Sequence, residues 1–176
     1  LYYGRVIPGK GLETLCDACK MAGNAVQLMV VGTGELDESL KAKLAAEKID
    51  NIRMVGFREG NELQKIISEA GCIVIPSELY ENNPMVIVEG YANGKPVIGS
   101  RIGGIPEIVL ERKTGYTYEM GNFRELANKM IAVTRLSPAE YERLSGHALM
   151  FAETHFSEEN HYSKLISIYK GVSMTK

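Results

Sequence analysis

Short apolar runs alternate with amphipathic stretches from the first residue onward. Runs at 1–4, 26–31, 52–55, 72–75, 96–98 and 115–118 have the length of strands. Gln27-Leu28-Met29-Val30-Val31 and Cys72-Ile73-Val74-Ile75 show no period-two alternation, as expected of strands covered on both faces. Between the runs, helical patterns fill 11–21, 35–48, 62–69, 84–93 and 124–134. After about residue 120 the strands stop. Two more helices are predicted at 138–153 and 158–171, the second capped by Ser157 with acids in its first turn. Strand alternating with helix predicts an α/β domain built on a doubly wound, parallel, six-stranded sheet with C-terminal helices. No linker, repeat or low-complexity tract interrupts it, so residues 1–172 read as one domain.

In such sheets ligands bind at the carboxyl ends of the strands, so the turns at 4–11, 32–35, 56–61, 76–84 and 100–106 carry the functional information. The first, Gly4-Arg5-Val6-Ile7-Pro8-Gly9-Lys10-Gly11, has the spacing of a phosphate-binding loop, but Gly11 stands where a magnesium-binding Ser or Thr is needed. No strand ends in the acid that completes a nucleoside triphosphatase metal site. What survives is Arg5 and Lys10 flanking one strand-to-helix turn, an arrangement that favours phosphate. Gly32-Thr33-Gly34 begins like a dinucleotide fingerprint but lacks its third glycine, and the next strand closes Met54-Val55-Gly56-Phe57 with no acid for a ribose. A nicotinamide-dependent dehydrogenase is therefore not expected. In the segment Pro76 to Gly90, Pro84 fits the first position of a helix and Asn83 its N-cap. The N–H groups of Met85 and Val86 would then face the crevice, with Glu81 just before this helix and Glu89 inside it.

Composition narrows the classes further. The chain has 176 residues, 20 basic and 22 acidic side chains and a formal charge of −2, with 45% hydrophobic residues. That is the balance of an ordinary globular protein, with no basic tract for nucleic acid and no run of ~20 apolar residues for a membrane span. Three cysteines cannot all pair, which suits a reducing compartment. Cys16-Asp17-Ala18-Cys19 falls mid-helix and is expected to be two small core thiols rather than a zinc or redox pair. His147, His155 and His161 do not share a face and read as surface residues. The opening residues do not read as a secretory leader. Leu1-Tyr2-Tyr3-Gly4 reads as the inside of a buried strand with no initiator Met, as in a piece of a longer protein.

Glu81-x7-Glu89, followed by Asn93-Gly94-Lys95-Pro96-Val97-Ile98-Gly99-Ser100 and Gly103-Gly104-Ile105-Pro106-Glu107, closely resembles retaining GT-B glycosyltransferases of the group 1, family 4-like kind. Gly4-Arg5-x4-Lys10-Gly11 fits the same family's first strand and turn, and the motifs run in the family's order over about residues 1 to 170. The resemblance implies the C-terminal, donor-binding half of the GT-B fold, a Rossmann-like domain, with the N-terminal acceptor domain absent. It implies no metal and no cofactor, a UDP- or GDP-sugar as substrate, and transfer of a hexose to a glycan or lipid-linked acceptor in capsule, O-antigen or exopolysaccharide synthesis. Arg5 and Lys10 would bind the diphosphate and stabilise the leaving group, and Glu81 would sit beside the transferred sugar. Glu89 would accept from the ribose hydroxyls. Gly4, Gly32, Gly34, Asn82, Asn83, Pro84, Met85 and Val86 would line the donor, and the base would lie near Phe57 and Arg58. Relatives carry Phe-Gly after the first glutamate, where this chain has Asn82-Asn83-Pro84. A cytoplasmic location is implied, with peripheral membrane contact through the missing half, and an isolated domain that does not turn over. A GT-B epimerase half and a non-catalytic sugar-nucleotide-binding module are the alternatives.

Overall fold

The structure, a computed structural model, describes residues 1–173. Six strands appear in the expected places: β1 Tyr2–Tyr3, β2 Leu28–Val31, β3 Ile52–Gly56, β4 Ile73–Ile75, β5 Val97–Ser100 and β6 Gly115–Tyr118. The helices are α1 Leu12–Ala22, α2 Asp37–Ala46, α3 Gly60–Glu69, α4 Met85–Ala92, α5 Ile105–Ile108, α6 Phe123–Thr134, α7 Pro138–His155 and α8 Glu158–Ser173. The short α5 begins within the turn expected at 100–106 and has no counterpart among the expected helices, because a four-residue helix is too brief to show a period. No helix among the described residues is long and apolar enough to cross a membrane.

All paired strands are parallel, but they form two three-stranded sheets, β1-β2-β3 and β4-β5-β6, rather than one six-stranded sheet. No ladder of paired residues runs between β1 and β4. The seam is nonetheless hydrogen-bonded in the parallel manner: the Leu1 amino group donates to Cys72 O at 2.8 Å, and Val74 N–H donates to Leu1 O at 2.8 Å. The strands therefore lie side by side in the order β3, β2, β1, β4, β5, β6.

Both faces are covered, as the unbroken apolar runs require. Tyr2, Leu28, Val30, Val74, Ile98 and Tyr118 point into a core shared with α1 and α6. Their neighbours Tyr3, Val31, Ile73, Ile75 and Val97 point into a second core with α3, α4, α5 and α7. Leu12, Leu15, Cys16 and Cys19 of α1 recur at i, i+3, i+4 and i+7, which puts all four on the buried stripe. The cysteines are thus core residues, and burial pushes the Cys16 thiol up to about 11 and the Cys19 thiol up to about 12. On the other face Tyr91 is fully buried, donates to Thr114 Oγ1 at 2.7 Å and meets the edge of Phe151 from α7. A capping box between Ser137 and Glu140 starts α7. All three histidines are exposed.

Two local features set the site. Gly11, immediately before α1, has φ +68°, and a Cβ there would lie 1.8 Å from Pro76 O. Only glycine lets the first turn close onto the segment leaving β4. In β3 the register slips between Val30↔Met54 and Val31↔Gly56, a bulge that leaves Val55 unpaired and re-aims the residues after Gly56.

Candidate functional site

The turns after β1 and β4 diverge to opposite faces of the sheet, and a cleft of about 210 Å³ opens between them. This is the switch point at which doubly wound sheets bind ligands. Gly4, Arg5 and Lys10 line it from the first turn, and Ser77, Glu81, Pro84, Met85 and Val86 line it from the β4–α4 segment. A second hollow of about 400 Å³ adjoins it, sharing Gly4 and Arg5 and reaching Gly32, Phe57 and Arg58. The β3 bulge delivers those last two.

The electrostatics are asymmetric. Arg5 is exposed, and its guanidinium forms no ion pair among the described residues. Its main chain is held by the Tyr2 hydroxyl, which donates to Arg5 O at 2.6 Å. Lys10 is instead paired with Glu81 Oε1, the two side chains being 22% and 21% exposed. Arg58 is turned back on its own loop, donating to Phe57 O at 2.7 Å and lying 3.5 Å from Glu62. Arg5 is thus the cation left open to a ligand.

Glu81 is fixed from two further sides. The Ser77 hydroxyl donates to Glu81 Oε1 at 3.0 Å, and the Gly104 N–H donates to Glu81 O at 2.7 Å. A Cβ on Gly103 would lie 2.4 Å from Glu81 O and one on Gly104 2.1 Å from Asn82 O, so the glycine pair is what allows this approach. Pro84, with ψ 116°, is itself the N-cap of α4, and the helix begins at Met85. Asn83 was expected in that role, but Pro84 O already accepts the first turn's bond from Ile87 N–H at 2.9 Å. The Met85 and Val86 N–H groups have no intrahelical acceptor and lie at the cleft wall. Among the described residues there is no cluster of three His, Cys, Asp or Glu groups placed to hold a metal.

Glu89 is half-buried on α4 behind this wall, next to Tyr3. The Tyr3 hydroxyl donates to Val86 O at 2.9 Å, and burial, reinforced by the Glu89 charge, raises its pKa well above the usual tyrosine value. Burial and then the Glu81 charge raise Tyr2 in the same way, with Arg5 opposing. Both phenols therefore stay neutral donors at any ordinary pH.

Among the residues named from sequence, Gly4, Arg5, Lys10, Glu81, Pro84, Met85 and Val86 meet at the first cleft, and Gly32, Phe57 and Arg58 at the second. Asn82 and Asn83 are exposed and line neither, and Gly34 lies against the Val6 carbonyl. Ser77, Tyr2 and Tyr3 carry contacts that sequence reasoning did not assign. A small polar residue two positions after the apolar β4 run, behind Pro76, is the available signal for Ser77.

The family model for glycosyl transferases group 1 matches residues 1–148. The amylovoran biosynthesis glycosyltransferase of Erwinia amylovora is 27% identical over 177 residues, covering 96% of this chain and 43% of that protein. The lipopolysaccharide 1,2-N-acetylglucosaminetransferase of Salmonella typhimurium is 37% identical over 128 residues, 66% of this chain and 33% of that one. The crystal structure of Anabaena HepE in complex with UDP superposes with a TM-score of 0.86 at 23% identity, over 97% of this chain and 48% of that chain. The chain spans less than half the length of these curated relatives. Matched by the family model over most of its length and folded like the carboxyl-terminal half of a GT-B enzyme, the chain belongs to the glycosyl transferases group 1 family.

Proposed function

We propose that this chain is the donor-binding half of a retaining, metal-independent hexosyltransferase that uses a UDP- or GDP-sugar in polysaccharide synthesis. One observation carries the reading: Arg5 and Lys10 face Glu81 and the start of α4 across a single cleft. Cleaving a sugar–phosphate bond builds negative charge on the departing diphosphate. Preorganised cations and helix N–H groups aimed at that charge lower the barrier without rearranging during the reaction. Arg5 offers a planar fork to phosphate oxygens, Lys10 a compact charge, and Met85 and Val86 two main-chain donors. Glu81, in the wall of the same cleft, would face the transferred sugar, a carboxylate suited to sugar hydroxyls. Glu89, beside Tyr3 and one helical turn from Met85, would take the ribose hydroxyls, and the hollow at Phe57 and Arg58 the base. The acceptor, a glycan or lipid-linked sugar, would be held by the N-terminal half. The HepE structure with UDP supports a nucleotide ligand. The names of the amylovoran biosynthesis and lipopolysaccharide relatives support a polysaccharide or lipopolysaccharide as product.

Calorimetric titration of the chain with UDP and with GDP tests the reading. The wild type is expected to bind at least one of them, and Arg5→Ala/Lys10→Ala to weaken that binding by about 10- to 100-fold, two charge-assisted contacts being lost. Binding indifferent to the double substitution overturns the assignment.

A further inference from the structure

Lys10 is one of the two cations assigned to the diphosphate, yet in the free protein its ammonium rests on Glu81 Oε1. Both side chains are about four-fifths buried, so neither charge is well hydrated and neither is cheaply left alone. An arriving diphosphate, itself anionic, must compete with the carboxylate for Lys10. Once it succeeds, a negative carboxylate stays behind in the cleft wall and needs another donor.

Ser77 supplies one. Its side chain is 1% exposed at the foot of the cleft, and its hydroxyl lies 3.0 Å from Glu81 Oε1 and 3.2 Å from Leu79 O. A hydroxyl has a single proton, so in the free protein that proton is divided between two acceptors. The residue cannot drift, because the fully buried Ser100 hydroxyl donates to Ser77 O at 2.6 Å. The Glu81 main chain is held separately by Gly104 N–H. Resting on the donor reading above, we propose that Ser77 is a positioning residue. It keeps the Glu81 carboxylate in place while Lys10 changes partner from that carboxylate to the diphosphate. During the exchange the Ser77 hydroxyl turns wholly toward Glu81 Oε1, the oxygen Lys10 leaves, and holds the carboxylate with its remaining lone pairs open to the sugar. The Lys10–Glu81 pair of the free protein is then a resting contact that every donor molecule must open.

A double-substitution cycle read by UDP and GDP titration tests this, with thermal melts confirming that each variant is folded. Glu81→Gln is expected to tighten UDP binding by about threefold to tenfold, since Lys10 is released and a negative charge removed. Ser77→Ala is expected to weaken it by a similar factor, because the exchange now strands the carboxylate. In the Glu81→Gln background the same Ser77→Ala change should cost less than about twofold, and this non-additivity distinguishes positioning from plain packing. Ser77→Cys, similar in size but a weak donor, serves in place of alanine should alanine unsettle the loop. Equal losses in both backgrounds, or weaker UDP binding in Glu81→Gln, overturn the exchange while leaving the donor site standing. A folded wild type that binds neither nucleotide overturns the donor reading itself, and the exchange with it.

Discussion

The two three-stranded halves of the sheet share parallel pairing and apolar central strands, yet they bring opposite chemistry to the cleft. The β1-β2-β3 half presents Arg5 and Lys10 on its first turn and Arg58 after its bulge. The β4-β5-β6 half presents Glu81 and the start of α4, with Glu89 behind that wall, and Arg101 after its β5 is tied to Glu119 and Glu125. Neither half holds a complete site. The cleft exists because β1 and β4 are neighbours in space though 71 residues apart in sequence, joined at the seam by the two bonds of Leu1. The positive side of the site is shaped by a tight turn closed at Gly11, and the negative side by the 100–104 loop, whose Gly104 N–H donates to Glu81 O from behind.

Breaking the contact between the halves should have the largest effect. Gly11→Ala puts a Cβ against Pro76 O at a positive φ, so the first turn must move away from the β4 segment. A loss of more than about 2 kcal/mol in urea unfolding is expected. Nucleotide binding should fall as well, because Lys10 is carried with the turn. Gly104→Ala acts within the second half alone. It pushes on Asn82 O and displaces Glu81, with an expected cost of about 1–2 kcal/mol and a change in UDP affinity that leaves the Arg5 contribution intact. A Gly104→Ala chain with wild-type stability and affinity would show that the Gly104 contact does not set Glu81.

Acid should sharpen the contrast with the smallest effect. Burial pushes the Glu125 carboxyl up, but the Glu119 N–H and the Arg101 guanidinium outweigh it and hold it below the usual range. Glu111 is lowered against burial in the same way by Lys129 and Thr117. A carboxylate whose folded pKa is depressed stabilises the fold above its unfolded value, and that contribution fades as pH falls through the folded value. Both groups lie in the second half, on and around β6 and α6. Hydrogen exchange at pH 4 against pH 7 should therefore show extra opening at β6 and α6 before β1 to β3, by about 1 kcal/mol or less. Uniform opening of both halves would contradict it.

Much of the fold was legible because it rests on local pattern. Unbroken runs such as Cys72-Ile73-Val74-Ile75 mark doubly covered strands, and the i, i+3, i+4, i+7 stripe of α1 marks a buried helix face. The division into two sheets was not legible, since ladder continuity depends on how many residues β1 and β4 can pair, not on their hydrophobicity. The candidate site divides similarly. Arg5, Lys10, Glu81 and Glu89 stand out by residue type and spacing beside strand ends. That Lys10 rests on Glu81 while Arg5 stays open is a tertiary fact. So is the dependence of Glu81 on Ser77, Gly103 and Gly104, which are far apart or unremarkable in one dimension.

The bulge in β3 has a consequence for how such a domain diversifies. Phe57 and Arg58 owe their place in the second hollow to one unpaired residue two strands away from Arg5 and Lys10. Insertions, deletions or replacements at that strand end alter the lining of one compartment without disturbing the turn that carries the cations. Selection can therefore rewrite what the second hollow admits while the first is inherited unchanged.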